Sequence, residues 1–147
     1  MAGHERKGRT VAAPRTMNGG CLCGAVRYRT DGPALQTTLC HCEDCRKASG
    51  APVVAWTFFR GDRPEWTRGE PRFLAWADRE RWFCPECGTP LAFRDPGIPG
   101  LYEVTTCSLD QPEEAPPCDH NWVCDRVPWF DTADTLPRHP ENSPPCL

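Results

Sequence analysis

Alternation of apolar and polar positions is the clearest local signal in this chain. In AVRYRT, Val26 and Tyr28 alternate with Arg27 and Arg29, the period-2 pattern of a strand with one buried face. PVVAWTFFR, ERWFC, PLAFR and GLYEVTTCSL add runs dense in β-branched and aromatic side chains, which favour pleated, half-buried surfaces. A helical signal is confined to Cys42–Ser49 and amounts to a turn or two. The 17 prolines and 12 glycines interrupt the chain too often for long helices. The pattern therefore predicts a mainly β protein of short strands with little helix. Trp56, Trp76 and Trp82 fall within strand-like runs and are expected in the core.

The strand signals are confined to Asn18 through about Leu109. Before them, residues 1–17 are polar, locally basic and without periodicity, and read as a disordered N-terminal arm. Met17 stands directly before NGGCLCGAVRYR, so the chain could equally begin there. After Leu109 come eight of the 17 prolines, yet Trp122, Val123, Trp129 and Phe130 are interleaved with them. Apolar side chains at that density predict an irregular strap packed across the domain, with Trp122 and Trp129 lining a groove beneath it. Asp119 and His120 are polar candidates for the same groove or for a surface turn. Residues 18–139 thus form one expected domain, followed by a loose tail over 140–147.

Composition changes this picture at the cysteines. Eleven in 147 residues exceed what packing needs, and leave a disulfide scaffold or metal binding as the two classes. No apolar run is long enough for a signal peptide or a membrane span, which predicts a cytoplasmic, reducing setting and hence metal. If seven thiols ionise around two Zn²⁺ ions, the formal charge moves from −3 to about −6. That balance, with no basic stripe, argues against nucleic acid as a partner.

The thiols divide by spacing. CLC supplies Cys21 and Cys23, followed by Gly24, and CPEC supplies Cys84 and Cys87, followed by Gly88. Two such turns can aim four sulfurs at one centre and form a closed structural zinc site. A redox CPEC disulfide and an iron site are the alternatives, although no thioredoxin-like βαβ pattern surrounds the motif. LCHCEDCRKASG places Cys40, Cys42 and Cys45 within six residues, a set of three. Its fourth position is filled by Cys107, Cys118 or Cys124, or is open to water or substrate, as in catalytic zinc, unless the three hold no metal at all. Three thiolates leave such an ion with net charge −1, better suited to holding a thiol as thiolate than to polarising a carbonyl. A small thiol meeting an electrophilic carbon is the reaction type this favours.

Neighbouring residues suggest supporting roles. His41 is the candidate catalytic group, as a base or anion-binding group, or else a buttress of the ligand loop. Arg46 and Lys47 could hold a carboxylate on the substrate or offset the thiolates, and Trp122, in its groove, is the third candidate for cofactor binding.

GGCLCGAVRYR, CHCEDCRKASGAPVVAW, FCPECGTPLAFR and HNWVCDRVPWFDTADTLPRH together resemble, in order, the glutathione-dependent formaldehyde-activating enzyme family, which includes centromere-protein-V-like domains. The resemblance covers about residues 18–139. It implies an Mss4-like fold of short antiparallel strands, a structural zinc at Cys21, Cys23, Cys84 and Cys87, and a second zinc at Cys40, Cys42 and Cys45 near a glutathione site. The implied activity is that of a carbon–sulfur lyase handling adducts of a small thiol with formaldehyde or another small aldehyde. A non-catalytic, zinc-stabilised thiol-binding or structural module is the alternative. Nothing in the sequence decides the oligomeric state.

Overall fold

A computed structural model describes residues 15–145. The fold is mainly β and Mss4-like, with ten strands and one short helix among the described residues. In chain order the strands are β1 (Asn18–Gly20), β2 (Arg27–Arg29), β3 (Gln36–Cys40), β4 (Val54–Arg60), β5 (Glu65–Arg68), β6 (Arg72–Trp76), β7 (Arg79–Phe83), β8 (Pro90–Arg94), β9 (Leu101–Thr105) and β10 (Asp119–Asn121). Helix α1 (Glu43–Ser49) lies between β3 and β4. No helix among the described residues is long and apolar enough to cross a membrane.

The strands form a small sheet in the order β1-β2-β5 and a larger one in the order β10-β3-β4-β9-β8-β7-β6. All pairings are antiparallel except β10 on β3. Alternation gives the large sheet two unlike faces. On one, Phe59, Tyr102, Val104, Ala92 and Trp82 join Val26 and Tyr28 of the small sheet in the main core. Phe59 and Tyr102 stack with ring centroids 5.7 Å apart, and Trp66 meets Tyr28 edge-on at 6.1 Å. Trp56 and Phe58 of β4 point to the other face, because neighbours along a strand alternate sides.

Trp56 and Trp82 are buried, as their runs predict, but Trp76 is 64% exposed. The reason is position within the sheet. β6 is its last strand, paired only to β7, and all five of its residues are exposed. A strand-forming sequence guarantees pairing, not a covering layer.

The expected arm lies outside the described residues up to residue 14. Its last member, Met17, is buried in the main core and its N–H donates to Thr30 Oγ1 at 2.8 Å. At the other end, the strap is tied down by backbone bonds: His120 N–H to the Pro137 carbonyl (2.8 Å) and His139 N–H to that of His120 (2.9 Å). Trp122 N–H likewise reaches the Glu141 carbonyl at 2.9 Å, so ordered pairing continues past residue 139. Arg138 gathers the turn beneath, donating to Asp131 Oδ1 and to the Thr132 carbonyl at 3.0 Å each.

A chain of hydroxyls crosses the buried side of the large sheet, from Thr37 to Thr57 (2.9 Å) and on to Thr106 (2.8 Å). Thr57 is fully buried at its centre. Thr57→Val keeps the shape and leaves two buried hydroxyls without their shared partner, at a cost of roughly 1–3 kcal/mol. Thermal melts of Thr57→Val and Thr57→Ser should show the valine variant clearly less stable; equal melts would show that the chain contributes nothing.

Candidate metal centres and the cavity beside them

Two tight turns bring the first four thiols together. Cys21 and Cys23 follow β1, while Cys84 and Cys87 lie between β7 and β8. Cys21 Sγ accepts from Val26 N–H at 3.2 Å, and Cys84 closes its turn with Gly88 N–H on its carbonyl at 2.9 Å. Gly24 and Gly88 have φ of 79° and 75°, a left-handed conformation that a side chain would strain. The turns are stitched to each other by Leu22 N–H on Thr89 Oγ1 at 3.1 Å.

The donor set fits a tetrahedral metal. Cys21 and Cys23 sulfurs are 3.6 Å apart, and those of Cys23 and Cys84 are 3.8 Å apart. A tetrahedron with metal–sulfur bonds of ~2.3 Å has edges of about 3.8 Å. All four sulfurs lie within 4.8 Å of one another, as do those of Cys40, Cys42 and Cys45.

The second cluster is built on the end of β3 and the start of α1. Cys40 closes the strand, Cys42 caps the helix by accepting Cys45 N–H at 3.2 Å, and Cys45 sits in the first turn. Glu43 and Asp44 in that turn suit the helix dipole, and Gly50 terminates the helix in the left-handed region. Mutual hydrogen bonding makes the three thiols unequal: bonds from Cys40 and then Cys45 pull Cys42 down to about 3, whereas Cys40 is driven up. The cluster therefore holds an anion readily at Cys42. No fourth Cys, His, Asp or Glu joins it among the described residues. Cys107 and Cys124 are exposed elsewhere, and Cys118 is held in a disulfide.

Cys40, Cys42 and Cys45 open on a cavity of about 1040 Å³ over the second face of the large sheet. The strap borders it through Trp122, Asp125 and Asn142. Trp122 is a cavity residue, as expected; its backbone is left-handed (φ 52°) and its Nε1–H donates to Asn142 Oδ1 at 3.1 Å. Trp129, expected in the same groove, is instead 77% exposed.

The structure separates the other expected site residues from this space. His41 is buried, with Nε2 2.8 Å from His120 Nδ1, and His120 Nε2 is 3.0 and 3.1 Å from the Asp134 oxygens. The Asp134 carboxyl is held well below its usual range, first by a hydrogen bond from Thr132, so it is a pure acceptor. His120 must then donate from Nε2, which leaves Nδ1 to accept from His41 Nε2–H. Burial, followed by the neighbouring His120, lowers His41 to about 4 and keeps it neutral. His41 thus fastens the cysteine loop to the strap, on the side away from the cavity. Arg46 donates from Nε to the His41 carbonyl at 3.3 Å, and Lys47 pairs with Glu43 at 3.0 Å with its side chain 76% exposed. Neither lines the cavity. The cations that do are Arg60, Arg79 and Arg81, from strands whose register the sequence does not display. Alternation within ERWF was the available signal: it places Arg81 opposite the buried Trp82.

Comparison with known proteins agrees with this architecture. Residues 16–125 match the family described as glutathione-dependent formaldehyde-activating enzyme. The chain belongs to that family. A putative glutathione-dependent formaldehyde-activating enzyme of Halomonas elongata is 27% identical over 110 residues, covering 69% of this chain and 70% of the relative. An uncharacterised lyase of Schizosaccharomyces pombe is 29% identical over 75 residues, covering 51% of this chain and 55% of the relative. The chain thus spans little more than half the length of that lyase. A crystal structure of a Rhodobacter sphaeroides protein superposes with a TM-score of 0.54 at 25% identity, over 64% of this chain and 88% of the other.

The two clusters should respond differently to loss of a ligand. Cys84→Ser removes one of four thiols that meet from distant parts of the chain; metal held there would contribute to folding free energy, roughly 10–16 kcal/mol in small zinc peptides. It should give insoluble or molten protein. Cys42→Ser should remain folded, with elemental analysis showing loss of one metal per chain. Equal collapse of both variants in thermal melts would mean that both clusters serve the fold alone.

Proposed function

We propose that this chain is a zinc-dependent carbon–sulfur lyase that adds a small thiol, of the glutathione kind, reversibly to formaldehyde or another small aldehyde. The observation that carries the proposal is the three-thiol cluster, without a fourth ligand among the described residues, in the wall of a cavity large enough for a peptide thiol. Family membership and the lyase relative support the same reaction class. Zn²⁺ is the ion proposed for both clusters, one held by Cys21, Cys23, Cys84 and Cys87 and one by Cys40, Cys42 and Cys45. Bound at the second, it would supply an electrophilic centre that favours the thiolate form of an incoming thiol.

The chain's own residues account for binding and orientation. Arg60 on β4 and Arg79 and Arg81 on β7 line the cavity, with Arg79 partly engaged by Asp95 at 3.3 Å. Glu43, Asp44 and Asp125 lie near the start of α1. A thiol carrying a carboxylate and an ammonium group matches this separation of charge. Trp56, Phe93 and Trp122 pack beside the cluster and exclude water from the reacting atoms. This arrangement gives the carboxylate-holding role to the cavity arginines in place of Arg46 and Lys47, and gives His41 a positioning role.

Glutathione and formaldehyde combine spontaneously, so the equilibrium yield is uninformative and the rate decides. NMR exchange between free and adduct signals should be faster with the metal-loaded protein than without it, and the acceleration should vanish in Cys42→Ser. His41→Ala should retain part of it. No acceleration by the native protein with any of several small thiols would reject the enzyme and favour a non-catalytic thiol-binding module.

A further inference from the structure

The addition just proposed moves a proton as well as forming a bond. The thiol must lose one, and the oxygen of the former carbonyl must gain one. His41, the residue that the sequence offers for this task, is turned away and committed to His120. The cavity's floor offers another group. Register alone sets five residues in one row across the large sheet: Gln36 opposite Phe58, Phe58 opposite Glu103, Glu103 opposite Phe93, and Phe93 opposite Arg81. All five line the cavity. Glu103 occupies the middle of that row, on a central strand, between two phenylalanines.

Its surroundings are unusual for a carboxyl group. Among the described residues no side-chain hydrogen bond or ion pair within 4.0 Å joins its half-buried side chain. Of the other cavity acids, Glu43 is paired with Lys47, Asp95 with Arg79, Asp125 accepts the N–H of Glu43 at 3.2 Å, and Asp44 is exposed to solvent on the first turn of α1. Arg81 lies across the row with its guanidinium over the Phe93 ring, 4.9 Å from the centroid. A half-buried carboxyl set between two phenylalanines, with no partner and facing a cavity, is costly unless a ligand uses it.

We propose that Glu103 is the proton-transfer residue of this site, taking the proton of the incoming thiol and delivering it to the oxygen of the aldehyde. This rests on the function proposed above. The proton passes from sulfur to the Glu103 carboxylate, and the thiolate lone pair then forms the carbon–sulfur bond. The π pair of the C=O bond moves to oxygen, which takes the proton back from the Glu103 carboxylic acid. The sum is thiol plus aldehyde giving the hydroxyalkyl thioether, with no other reactant, and Glu103 ends as it began. In reverse the same carboxylate removes the hydroxyl proton as the carbon–sulfur bond breaks.

The electrostatics suit a group that must alternate. Burial raises Glu103 to about 8, the nearby Cys42 adds to the rise, Arg81 opposes it and Asp95 adds a little. Arg60, on β4, is the remaining charged cavity group from the strands flanking Glu103. Three thiolates around a divalent ion keep the net charge of −1 that a Cys42 thiolate alone provides, so the sign of that influence is the same with metal bound. A proton donor and acceptor works best when its pKa lies near the working pH. In the direction of addition the thiolate-bound protein needs Glu103 protonated, so acceleration should fall as pH rises through about 8.

The test measures two properties of metal-loaded native protein, Glu103→Gln and Glu103→Asp. One is the exchange rate between glutathione, formaldehyde and their adduct across pH 6–9; the other is glutathione binding, read by tryptophan fluorescence. Glu103→Gln should lose roughly 100-fold of the acceleration, keep glutathione binding within about threefold, and lose the alkaline fall near pH 8. Glu103→Asp, which retains an acid, should recover part of the rate and keep a pH-dependent limb. Acceleration by Glu103→Gln equal to native overturns the role of Glu103 while leaving the proposed function standing. Absence of acceleration by native protein with several small thiols overturns both. A rate loss matched by an equal loss of binding in both variants also overturns the role, since the carboxyl would then only shape the cavity.

Discussion

The large sheet must serve two environments at once, and its strict alternation is what allows this. Along β4, Thr57 and Phe59 face a dry core and Trp56 and Phe58 face the cavity. β9 repeats the division, with Tyr102 and Val104 on one side and Leu101 and Glu103 on the other. A one-residue slip in any of these pairings would put Glu103 in the core and Val104 in the cavity. The hydroxyl chain from Thr37 through Thr57 to Thr106 satisfies polar groups on the dry side and opposes such a slip. Chemistry on one face therefore depends on packing on the other.

The cysteine clusters secure this sheet at different places. The four-thiol cluster brings the turn after β1 against the turn between β7 and β8, where a bound metal would fasten the small sheet to the far half of the large one. The three-thiol cluster sits at the end of β3 beside β10, where strap and sheet meet. His41, within its loop, reaches His120 on β10, and His120 reaches Asp134 further along the strap. The strap is thereby coupled to the ligand loop by buried polar contacts, and its tryptophan, Trp122, forms part of the cavity wall. This coupling explains why a proline-rich segment retains apolar residues.

What was legible in the sequence is what local chemistry dictates. Thiol spacing marked both clusters, alternation marked β2, and the Cys42–Ser49 run marked α1 within a residue. The QTTLC strand, β3, carries no clear signal because three of its five residues are polar; its threonines are buried only once β4 pairs with it. Trp76 was misplaced because an edge strand looks like an interior one until its neighbours are known. Arg46 and Lys47 were attractive because they follow Cys45 directly, yet a helix turns successive residues through about 100°, which can carry them off the ligand side. Arg81 and Glu103 lie 36 and 58 residues beyond Cys45, and only cross-strand register brings their row together.

The central claim is that the second cluster presents its metal to the cavity with a position that no protein group fills. X-ray absorption at the zinc edge tests it directly, on protein in which Cys84 and its three partners are intact, with and without added glutathione. The account predicts a sulfur shell accompanied by a light-atom scatterer, which is replaced by further sulfur when glutathione is added. A shell made of sulfur alone, unchanged by glutathione, would contradict it.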